Sequence, residues 1–347
     1  MNIDELYMQR ALELAQHGKL QTAPNPMVGC VIVYENTIIG EGYHTAYGKP
    51  HAEVNAINHV KNKELLRESA LYVSLEPCSH HGKTPPCADL LIDCHIPNIY
   101  IAVTDPNPKV EGKGIQKLKD AGRHVNYGLL EKEAIELNKR FFCFHQKKRP
   151  YIILKWAQTL DGYMDKNLRD CQDRESYWIT NETLRIKAHQ WRAEESAVLV
   201  GANTIINDNP QLNVRYCAGK NPIRITIINN LINQDAIFFD NTTPTLVFNF
   251  EKEEQRQNIR FCKLSPEEHP EETILRQLYE MNVQSLLIEG GKHTLKRFLD
   301  MNLWDEARVL TGNKCFGSGL TAPTIPLEPV YIENVNGDNI LWYKNKK

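Results

Sequence analysis

The stretch from Glu76 to Cys87 reads Glu-Pro-Cys-Ser-His-His-Gly-Lys-Thr-Pro-Pro-Cys, and it connects an apolar, strand-like run to an apolar helical one. Upstream, Pro50-His51-Ala52-Glu53 opens another helical pattern. Zinc binds neutral imidazole and thiolate ligands, and a catalytic zinc uses three protein ligands and leaves a fourth position for water. His51, Cys78 and Cys87 supply such a set. His51 is predicted on the first turn of one helix and Cys87 at the start of the next, with Cys78 after the intervening strand, and this layout indicates an α/β domain with a metal centre.

Glu53 lies two residues after His51 and is free to act on a water molecule held by the metal. The His-x-Glu and Pro-Cys pattern is typical of zinc deaminases, in which a glutamate that is not a ligand moves protons. That glutamate takes a proton from the water as it attacks an amino-bearing ring carbon. It then returns protons to the ring nitrogen and to the leaving ammonia. The sequence therefore predicts Glu53 as the catalytic residue.

The same stretch also admits a different use of the metal. Eight residues separate Cys78 from Cys87, whereas the usual deaminase pattern is Cys-x-x-Cys. A closed, structural zinc site would need a fourth ligand, for which His80 and His81 are candidates. On these residues alone, both a catalytic and a structural zinc stay open.

Helical and strand-like patterns alternate on both sides of this stretch. The first helix is predicted over residues 4–17, capped by Asp4. Its apolar face consists of Tyr7, Met8, Ala11, Leu12 and Ala15. The alternation implies a three-layer α/β unit with helices on both faces of the sheet. The predicted strands are 30–34, 37–40, 70–75, 98–103 and 124–127, and the further helices are 51–61, 87–94, 112–121 and 129–142.

Residues 145–150, His-Gln-Lys-Lys-Arg-Pro, interrupt the pattern with a polar, basic run that ends in proline. We interpret this run as a solvated linker and predict two domains, 1–146 and 147–347. The second domain again alternates, so it is also predicted to be α/β. Its predicted strands are 151–156, 197–201, 223–228, 245–250, 285–288 and 307–310, and its helices are 181–194, 271–281 and 292–301.

The second domain has no Gly-x-Gly-x-x-Gly motif. Glu289-Gly290-Gly291 lies between an apolar strand and a helix that begins near Lys292. Glycines at such a junction let a phosphate approach the backbone N–H groups of the helix. A simple turn explains the same two glycines, and the residues do not decide between these interpretations.

Whole-chain composition narrows the class of partner and the location. Among 347 residues, 41 Lys and Arg balance 43 Asp and Glu, for a net charge of −2. This gives no general attraction to nucleic acid or to anionic membranes. No apolar run approaches the ~18 residues that span a bilayer, and Met-Asn-Ile-Asp-Glu is not a secretory signal. We therefore expect a cytoplasmic protein. In a reducing compartment, nine irregularly spaced cysteines argue against a disulfide framework, and we assign two of them to the metal and seven to packing.

Further motifs surround the predicted metal ligands. They are Pro24-Asn25-Pro26-Met27-Val28-Gly29, His44 and Gly48. Together with the two metal stretches they resemble the family of bifunctional riboflavin-biosynthesis deaminase–reductases, in which the wide cysteine spacing is the rule. The resemblance covers nearly the whole chain. It implies a cytidine-deaminase-like three-layer domain followed by a dihydrofolate-reductase-like domain.

For the first domain, the resemblance implies hydrolytic loss of the pyrimidine amino group from diaminohydroxy-phosphoribosylaminopyrimidine, with one zinc ion per chain. Lys83 and His44 suit a phosphate, and Asn25 suits ribose or base edges. The residues implied to hold this substrate are Asn25, His44, Lys83, Thr84, Asp105 and Asn107.

For the second domain, the resemblance rests on Lys155–Gly162, Ser176–Thr180, Arg192-Ala193, Gly201–Thr204 and Glu289–Gly291. It implies hydride transfer from NADPH to the anomeric carbon, which opens the ribosylamino group to ribitylamino. The implied cofactor contacts are Gln158, Trp178, Thr204, Asp208, Gly291, Lys292, His293 and Thr294. The implied substrate contacts are Lys155, Ser176, Arg192, Leu212, Arg215 and Glu289.

Within that set, Lys155 is implied to protonate or hydrogen-bond the nitrogen or ring oxygen during opening. Arg192 and Arg215 suit a bidentate grip on a ribose phosphate. Two places depart from the family pattern: Asn209 stands where Asp is usual after Asp208, and Asp173-Arg174 replaces small residues.

Two rival functions remain. One is a nucleoside or tRNA-type zinc deaminase with an unrelated C-terminal domain, and the other is a non-catalytic module built on a structural zinc. The balanced charge and the motifs of the second domain favour a small phosphorylated pyrimidine as substrate, with no nucleic acid and no membrane. The resemblance further implies a homo-oligomer, a dimer or higher.

Overall fold

The computed structural model describes residues 2–79, 85–166, 178–228 and 236–345. The chain divides into two compact units, Met1–Lys148 and Arg149–Lys347. Both units are α/β. Among the helices that the structure describes, none is both long enough and apolar enough to cross a membrane.

The first unit is built on a sheet of five strands in the order β2-β1-β3-β4-β5. β1 runs antiparallel to both β2 and β3, and β3, β4 and β5 are parallel. The helices are α1 Ile3–Gln16, α2 Ala52–His59, α3 Cys87–Asp93, α4 Lys113–Asp120, α5 Glu131–Leu137 and α6 Lys139–Lys147. The strands are β1 Gly29–Tyr34, β2 Thr37–Tyr43, β3 Ala70–Val73, β4 Asn98–Ile101 and β5 His124–Tyr127.

Helices cover both faces of this sheet, because successive side chains of a strand point to opposite sides. In β1, Cys30 and Ile32 pack with α2, α3 and α4. Val31 and Val33 pack on the other side with α1, α5 and α6. The predicted apolar face of α1 is buried as a whole. The predicted three-layer arrangement of the first unit is therefore confirmed.

Two local predictions in this unit were wrong. Asn2, not Asp4, caps α1, because its side chain accepts from the Glu5 N–H while the Glu5 carboxylate accepts from the Asn2 N–H, a reciprocal capping box. The single helix expected over 129–142 breaks at Asn138. Its side chain pairs with both backbone groups of Met27, at 2.8 Å each, and this long-range pairing outweighs local helix preference.

The second helix of that pair, α6, continues through Lys147, beyond the start of the run interpreted as a linker. Phe144, in the middle of α6, is buried, and this favours helix over an extended, solvated conformation.

The second unit has a mixed sheet of ten strands in the order β11-β12-β10-β9-β8-β13-β6-β14-β17-β16, and β15 pairs with β7 in a separate small sheet. The strands are β6 Tyr151–Thr159, β7 Tyr163–Asp165, β8 Ala197–Gly201, β9 Ile223–Ile228, β10 Thr245–Asn249, β11 Glu254–Arg256, β12 Ile259–Lys263, β13 Ser285–Ile288, β14 Glu306–Gly312, β15 Leu320–Thr321, β16 Tyr331–Val335 and β17 Asp338–Lys344. The helices are α7 Glu182–Glu194, α8 Ala202–Asp208, α9 Pro270–Glu280 and α10 Lys292–Asp300.

Apolar residues of this sheet also pack on both faces. One cluster joins Leu154 of β6 to Leu295 and Phe298 of α10. A second cluster joins Val198 of β8 to Ile205 of α8. All six strands and three helices predicted for this half are present, and the sequence analysis missed α8 and the strands β7, β11, β12, β15, β16 and β17.

The cysteines outside the predicted metal site are not all packing residues. Cys30, Cys143 and Cys262 are buried, as expected, but Cys315 is exposed. Cys171, like the departure at Asp173-Arg174, lies outside the described residues.

Candidate active sites

In the first unit, the three predicted metal ligands converge from three elements. His51 is the N-cap residue of α2, Cys78 follows β3, and Cys87 opens α3 directly after Pro86. Their ligand atoms all lie within 4.8 Å of one another. His51 Nδ1 lies 3.6 Å from Cys78 Sγ and 3.3 Å from Cys87 Sγ.

These distances fit zinc. With Zn–S near 2.3 Å and Zn–N near 2.0–2.1 Å, a tetrahedral site places sulfur and nitrogen ~3.6 Å apart. Hydrogen bonds from the Cys87 thiol and from His51 lower the pKa of the Cys78 thiol to about 4, so a thiolate is in place at neutral pH. The Cys87 N–H also donates to this sulfur, at 3.3 Å. His80 and His81, the candidate fourth ligands, lie outside the described residues.

Glu53 occupies the first turn of α2 and is 3% exposed. Burial, and next the nearby Cys78 thiolate, raise the pKa of its carboxyl. A carboxyl with a raised pKa accepts and returns protons near neutral pH more readily than an exposed one. Glu53 therefore lies where a proton carrier beside the metal cluster is needed.

A cavity of about 370 Å³ adjoins the cluster. Besides His51, Glu53 and Cys78, it is lined by four of the predicted substrate residues, Asn25, His44, Asp105 and Asn107. The other two, Lys83 and Thr84, lie outside the described residues.

His44 is held in one hydrogen-bonding state. Its Nδ1 lies 3.1 Å from the Pro50 carbonyl, which requires a proton on Nδ1, and its Nε2 then accepts from Asn25 Nδ2 at 3.1 Å. Burial lowers the pKa of His44, which favours this neutral form. In this form His44 has no positive charge to offer to a phosphate, and its predicted contact with the substrate stays a prediction.

Asp105 is buried and lines this cavity. Its Oδ1 accepts from the Asn107 N–H at 2.8 Å, and burial raises its pKa to about 7. The same short turn therefore presents Asp105 and Asn107 together to the cavity.

In the second unit, a cavity of about 840 Å³ lies where β8 and β13 lead into α8 and α10. Six of the eight predicted cofactor residues line it: Thr204, Asp208, Gly291, Lys292, His293 and Thr294. The glycines are needed for close approach: a Cβ on Gly201 would lie 2.6 Å from Thr294 Oγ1, and one on Gly290 would lie 2.9 Å from Thr204 Oγ1. Gly290 and Gly291 line the cavity, and Gly290 packs closely against the Thr204 side chain.

The other two predicted cofactor residues are not among those that line this cavity. Gln158 accepts from Trp156 Nε1 at 2.8 Å. The Trp178 ring is 50% exposed, and the Arg185 guanidinium lies 5.4 Å from its centre. Lys296 and Arg297 also line the cavity and were missed, although they lie one helical turn beyond Lys292 on α10.

At the edge of this cavity, Glu289 is buried against two cations. Arg192 donates from Nε and Nη2 to the two carboxylate oxygens, at 2.9 and 2.8 Å. Lys155 Nζ lies 3.6 Å from the second oxygen. Burial alone raises the pKa of Glu289, but Arg192 and Lys155 outweigh it and bring the pKa to about 2.

This arrangement changes what was expected of Arg192. Its fork holds Glu289, and its Nη1 donates to the Asn213 carbonyl at 2.8 Å, so a phosphate would share these donors rather than find them free. Arg215 is exposed and bonds to Gln211 and Asn213, while Leu212 is buried. Ser176 lies outside the described residues.

His189, which the sequence analysis missed, holds the loop that carries Arg215. Its Nδ1 accepts the Arg215 backbone N–H at 3.3 Å. Burial and then the charges of Arg192 and Arg215 lower its pKa to about 4, so it stays a neutral acceptor. Its position one turn before Arg192 on α7 was the available signal.

The departure at Asn209 has a structural reason. Asn209 ends α8 in the left-handed region, with φ 42°, which Asn tolerates well. Its Oδ1 accepts the Ile237 N–H at 2.8 Å.

Comparison with known proteins matches each unit to a family model. Residues 150–333 match the RibD C-terminal domain, and residues 1–103 match the cytidine and deoxycytidylate deaminase zinc-binding region. The riboflavin biosynthesis protein RibD of Aquifex aeolicus is 39% identical, over 99% of this chain and 98% of that protein. The protein of the same name from Bacillus amyloliquefaciens is 40% identical, over 93% of this chain and 88% of that protein.

Solved structures agree with these matches. A diaminohydroxyphosphoribosylaminopyrimidine deaminase/5-amino-6-(5-phosphoribosylamino)uracil reductase from Thermotoga maritima superposes with a TM-score of 0.87 at 38% identity, over 99% of this chain and 98% of that one. RibD of Acinetobacter baumannii superposes with a TM-score of 0.87 at 32% identity, over 99% of each chain.

Proposed function

This chain belongs to the RibD family, and on that premise we propose which of its residues carry out the two reactions of the family. The chain is a bifunctional enzyme of riboflavin biosynthesis. It deaminates 2,5-diamino-6-ribosylamino-pyrimidinone 5′-phosphate and then reduces the ribosyl chain to ribityl, which gives 5-amino-6-ribitylamino-uracil 5′-phosphate. The observation that carries the assignment is the convergence of His51, Cys78 and Cys87 beside buried Glu53.

In the first unit, His51, Cys78 and Cys87 hold zinc. Zinc held there would lower the pKa of a bound water molecule. Glu53 is placed to accept a proton from the attacking water as the water oxygen bonds to the amino-bearing carbon. Glu53 would give this proton to the ring nitrogen and would then move the second proton, from the added hydroxyl, to the amino group, so that ammonia leaves and the oxygen of the water stays on the ring as a carbonyl.

The cavity beside the cluster orients the pyrimidine. Asn25, His44, Asp105 and Asn107 face this cavity and offer hydrogen bonds to base and ribose. We assign the phosphate to Lys83 and Thr84 in the adjoining stretch, because lysine is a common phosphate ligand.

In the second unit, the large cavity would hold NADPH, which would supply a hydride to the anomeric carbon. Lys155 protonates the ring oxygen as the bond between this oxygen and the anomeric carbon breaks, or hydrogen-bonds the nitrogen, which stays attached to that carbon. Glu289 and Arg192 fix the position of Lys155, and Arg192 and Arg215 face the ribose phosphate. Ser176 and Leu212 complete the proposed substrate contacts. Gln158 and Trp178 are the two proposed cofactor contacts that do not line the cavity in this structure.

We assign residues 1–146 to the deaminase domain and 147–347 to the reductase domain. The division of the chain after Lys148 supports a boundary within a few residues of this position.

We also propose a cytoplasmic homo-oligomer, a dimer or higher. The thiolate ligands of the metal cluster suit a reducing compartment. Light scattering of the purified chain measures the oligomeric state, and a monomer at working concentration would contradict this part of the proposal.

Incubation of the full chain with the diaminopyrimidine substrate and NADPH tests the whole assignment. Release of ammonia should precede the consumption of NADPH, because the deaminated product is the substrate of the reductase. Absence of ammonia release from zinc-loaded protein would contradict the deaminase assignment. Failure to oxidise NADPH with the deaminated product supplied directly would contradict the reductase assignment.

The two rival functions, a deaminase with an unrelated second domain and a structural zinc module, predict different results. The match of residues 150–333 to the RibD C-terminal domain disfavours a deaminase with an unrelated second domain. A structural zinc module would bind the metal and leave the substrate unchanged.

A further inference from the structure

Glu76 lies buried at the rim of the deaminase cavity, just after β3, and is 4% exposed. Its carboxylate accepts four hydrogen bonds, all from backbone N–H groups. Oε2 accepts from Asp105 at 3.2 Å and from Gly112 at 3.0 Å. Oε1 accepts from Gly114 at 2.9 Å and from Ile115 at 3.1 Å. One side chain thus joins both ends of the segment from Asp105 to Ile115.

Three of these donors belong to the start of α4. The N-cap residue of this helix is Gly112, with φ 76°, and glycine has no side chain with which to cap the first turn. The Glu76 carboxylate takes over that role from a neighbouring element, and a negative charge at a helix N-terminus is favourable.

Gly114 makes room for this carboxylate. A Cβ on Gly114 would lie 2.1 Å from the Pro77 carbonyl oxygen and 3.2 Å from Glu76 Oε1. Any larger residue would push α4 away from the Glu76–Pro77 backbone, so the Gly-Lys-Gly run is shaped for close approach.

The fourth donor, the Asp105 N–H, connects the cavity to the Glu76 clamp, by which we mean the Glu76 carboxylate and its four backbone donors. Asp105 donates its backbone N–H to Glu76, while its side chain lines the cavity and accepts from Asn107. His51, which holds metal, and Glu53 stand on a different element, α2 and its cap. Movement of the 105–115 segment would therefore displace substrate contacts and leave these two residues in place.

We propose that Glu76 is a positioning residue for deamination, which fixes Asp105 and Asn107 against the pyrimidine by binding the backbone of the 105–115 segment. This rests on the proposed function, because it assumes that Asp105 and Asn107 contact the substrate. Glu76 acts on substrate affinity rather than on the chemical step.

Glu76→Gln in the full chain tests the proposal. Glutamine keeps one acceptor oxygen but turns an NH₂ group towards backbone N–H donors, so half of the clamp is lost. The deaminase KM should rise roughly 10- to 100-fold, with a smaller fall in kcat, because misplacement of binding groups by about 1 Å has effects of this size. KM and kcat of the reductase, measured with deaminated substrate, should not change.

Glu41→Gln is the matched control. Glu41 lies on β2 of the same unit and pairs with Arg10 at 2.7 Å, away from the residues that line the cavity. Its deaminase KM should stay within about twofold of the wild type. Hydrogen exchange of the amides at residues 112–115 should quicken in Glu76→Gln and not in Glu41→Gln.

Other outcomes overturn the proposal. An unchanged KM in Glu76→Gln would do so, as would loss of kcat alone, or loss of zinc, which would place the action of Glu76 on the metal cluster. If Glu76→Gln does not fold, Glu76→Asp, which withdraws the charge by one methylene, is judged by the same criteria. A wild-type chain that releases no ammonia would instead refute the proposed function.

Discussion

Each unit buries a glutamate at the edge of its cavity, and the two carboxylates are stabilised in opposite ways. Glu76 in the deaminase unit accepts from four backbone N–H groups. Glu289 in the reductase unit is held by the cations Arg192 and Lys155. A buried carboxylate needs hydrogen-bond donors or cations as partners, because a buried charge without partners is strongly disfavoured.

In the deaminase unit, the groups that hold the buried glutamate differ from the groups proposed for catalysis. In the reductase unit, the same side chains have both roles. The partners of Glu76 are main-chain groups, so this carboxylate organises the site without a charged side chain. The partners of Glu289 are the side chains that we propose for the reductase reaction, so on this proposal its ion pairs and its substrate share the same donors. Substitutions in the first unit should therefore affect mainly substrate binding (KM) or mainly the chemical step (kcat). Substitutions in the second unit should affect both.

The largest expected effect comes from the metal cluster. Cys87→Ser should remove a ligand that zinc prefers and reduce deamination to the background rate, because the proposed reaction depends on a metal that lowers the pKa of water. The reductase rate should stay unchanged. Metal analysis and ammonia release measure the result, and full deaminase activity in a zinc-free variant would contradict it.

Glu53→Gln should come next. Deaminase kcat is expected to fall about 10²- to 10⁴-fold, the usual contribution of a general acid–base group, while zinc remains bound. A variant with zinc in place and wild-type turnover would show that the metal site is structural. The reductase activity of the same sample is the internal control.

Lys155→Ala addresses the reductase unit. Loss of the proton donor should lower reductase kcat by roughly 10²-fold, and KM should rise as well because Glu289 and Arg192 rearrange. Lys187→Ala is the control. Lys187 lies on α7, the helix that carries Arg192, and pairs with Glu333 of β16. This variant should retain activity. An unchanged reductase rate in Lys155→Ala would rule out its role.

The last prediction concerns the stability of the reductase unit in acid rather than catalysis. The pKa of Glu289 lies at about 2 in the folded chain against an ordinary 4.5, so its contribution to stability is complete above pH 4.5 and is lost as pH falls towards 2. That loss amounts to roughly 3 kcal/mol. Glu289→Gln should lack this component of the acid dependence.

Tryptophan fluorescence measures this change in one unit alone, because all five tryptophans lie between residues 149 and 347. Urea unfolding at several pH values should show a shallower acid decline for Glu289→Gln than for the wild type. Glu333→Gln, at a partly exposed pair with Lys187, should parallel the wild type. Equal declines in wild type and Glu289→Gln would contradict the prediction.

The metal cluster was accessible from sequence because its chemistry resides in residue types. An imidazole, two thiols and a nearby carboxylate can be identified directly in the sequence. The predicted alternation of strands and helices places them close together. The first unit followed from hydrophobic periodicity for the same reason: Tyr7, Met8 and Leu12 identify the buried face of α1.

The Glu76 clamp was not accessible in this way, because its partners are backbone groups that any residue carries. The one trace in the sequence is the pair Gly112 and Gly114. The break of the helix at Asn138 was missed because its cause, the backbone of Met27, is distant in sequence. The hairpin of β16 and β17 did carry a signal, since Asn336-Gly337 is a typical two-residue turn.

Gly114 has a consequence for efforts to raise the thermal tolerance of this enzyme. It lies in the first turn of α4, and a library designed on helix propensity would replace it with alanine, which favours helices by about 1 kcal/mol over glycine. Here the added methyl carbon would lie 2.1 Å from the Pro77 carbonyl oxygen, so alanine at this position should destabilise the protein instead of stabilising it. Designed variants of this chain should keep Gly114 and seek their gains on the exposed helix surfaces instead.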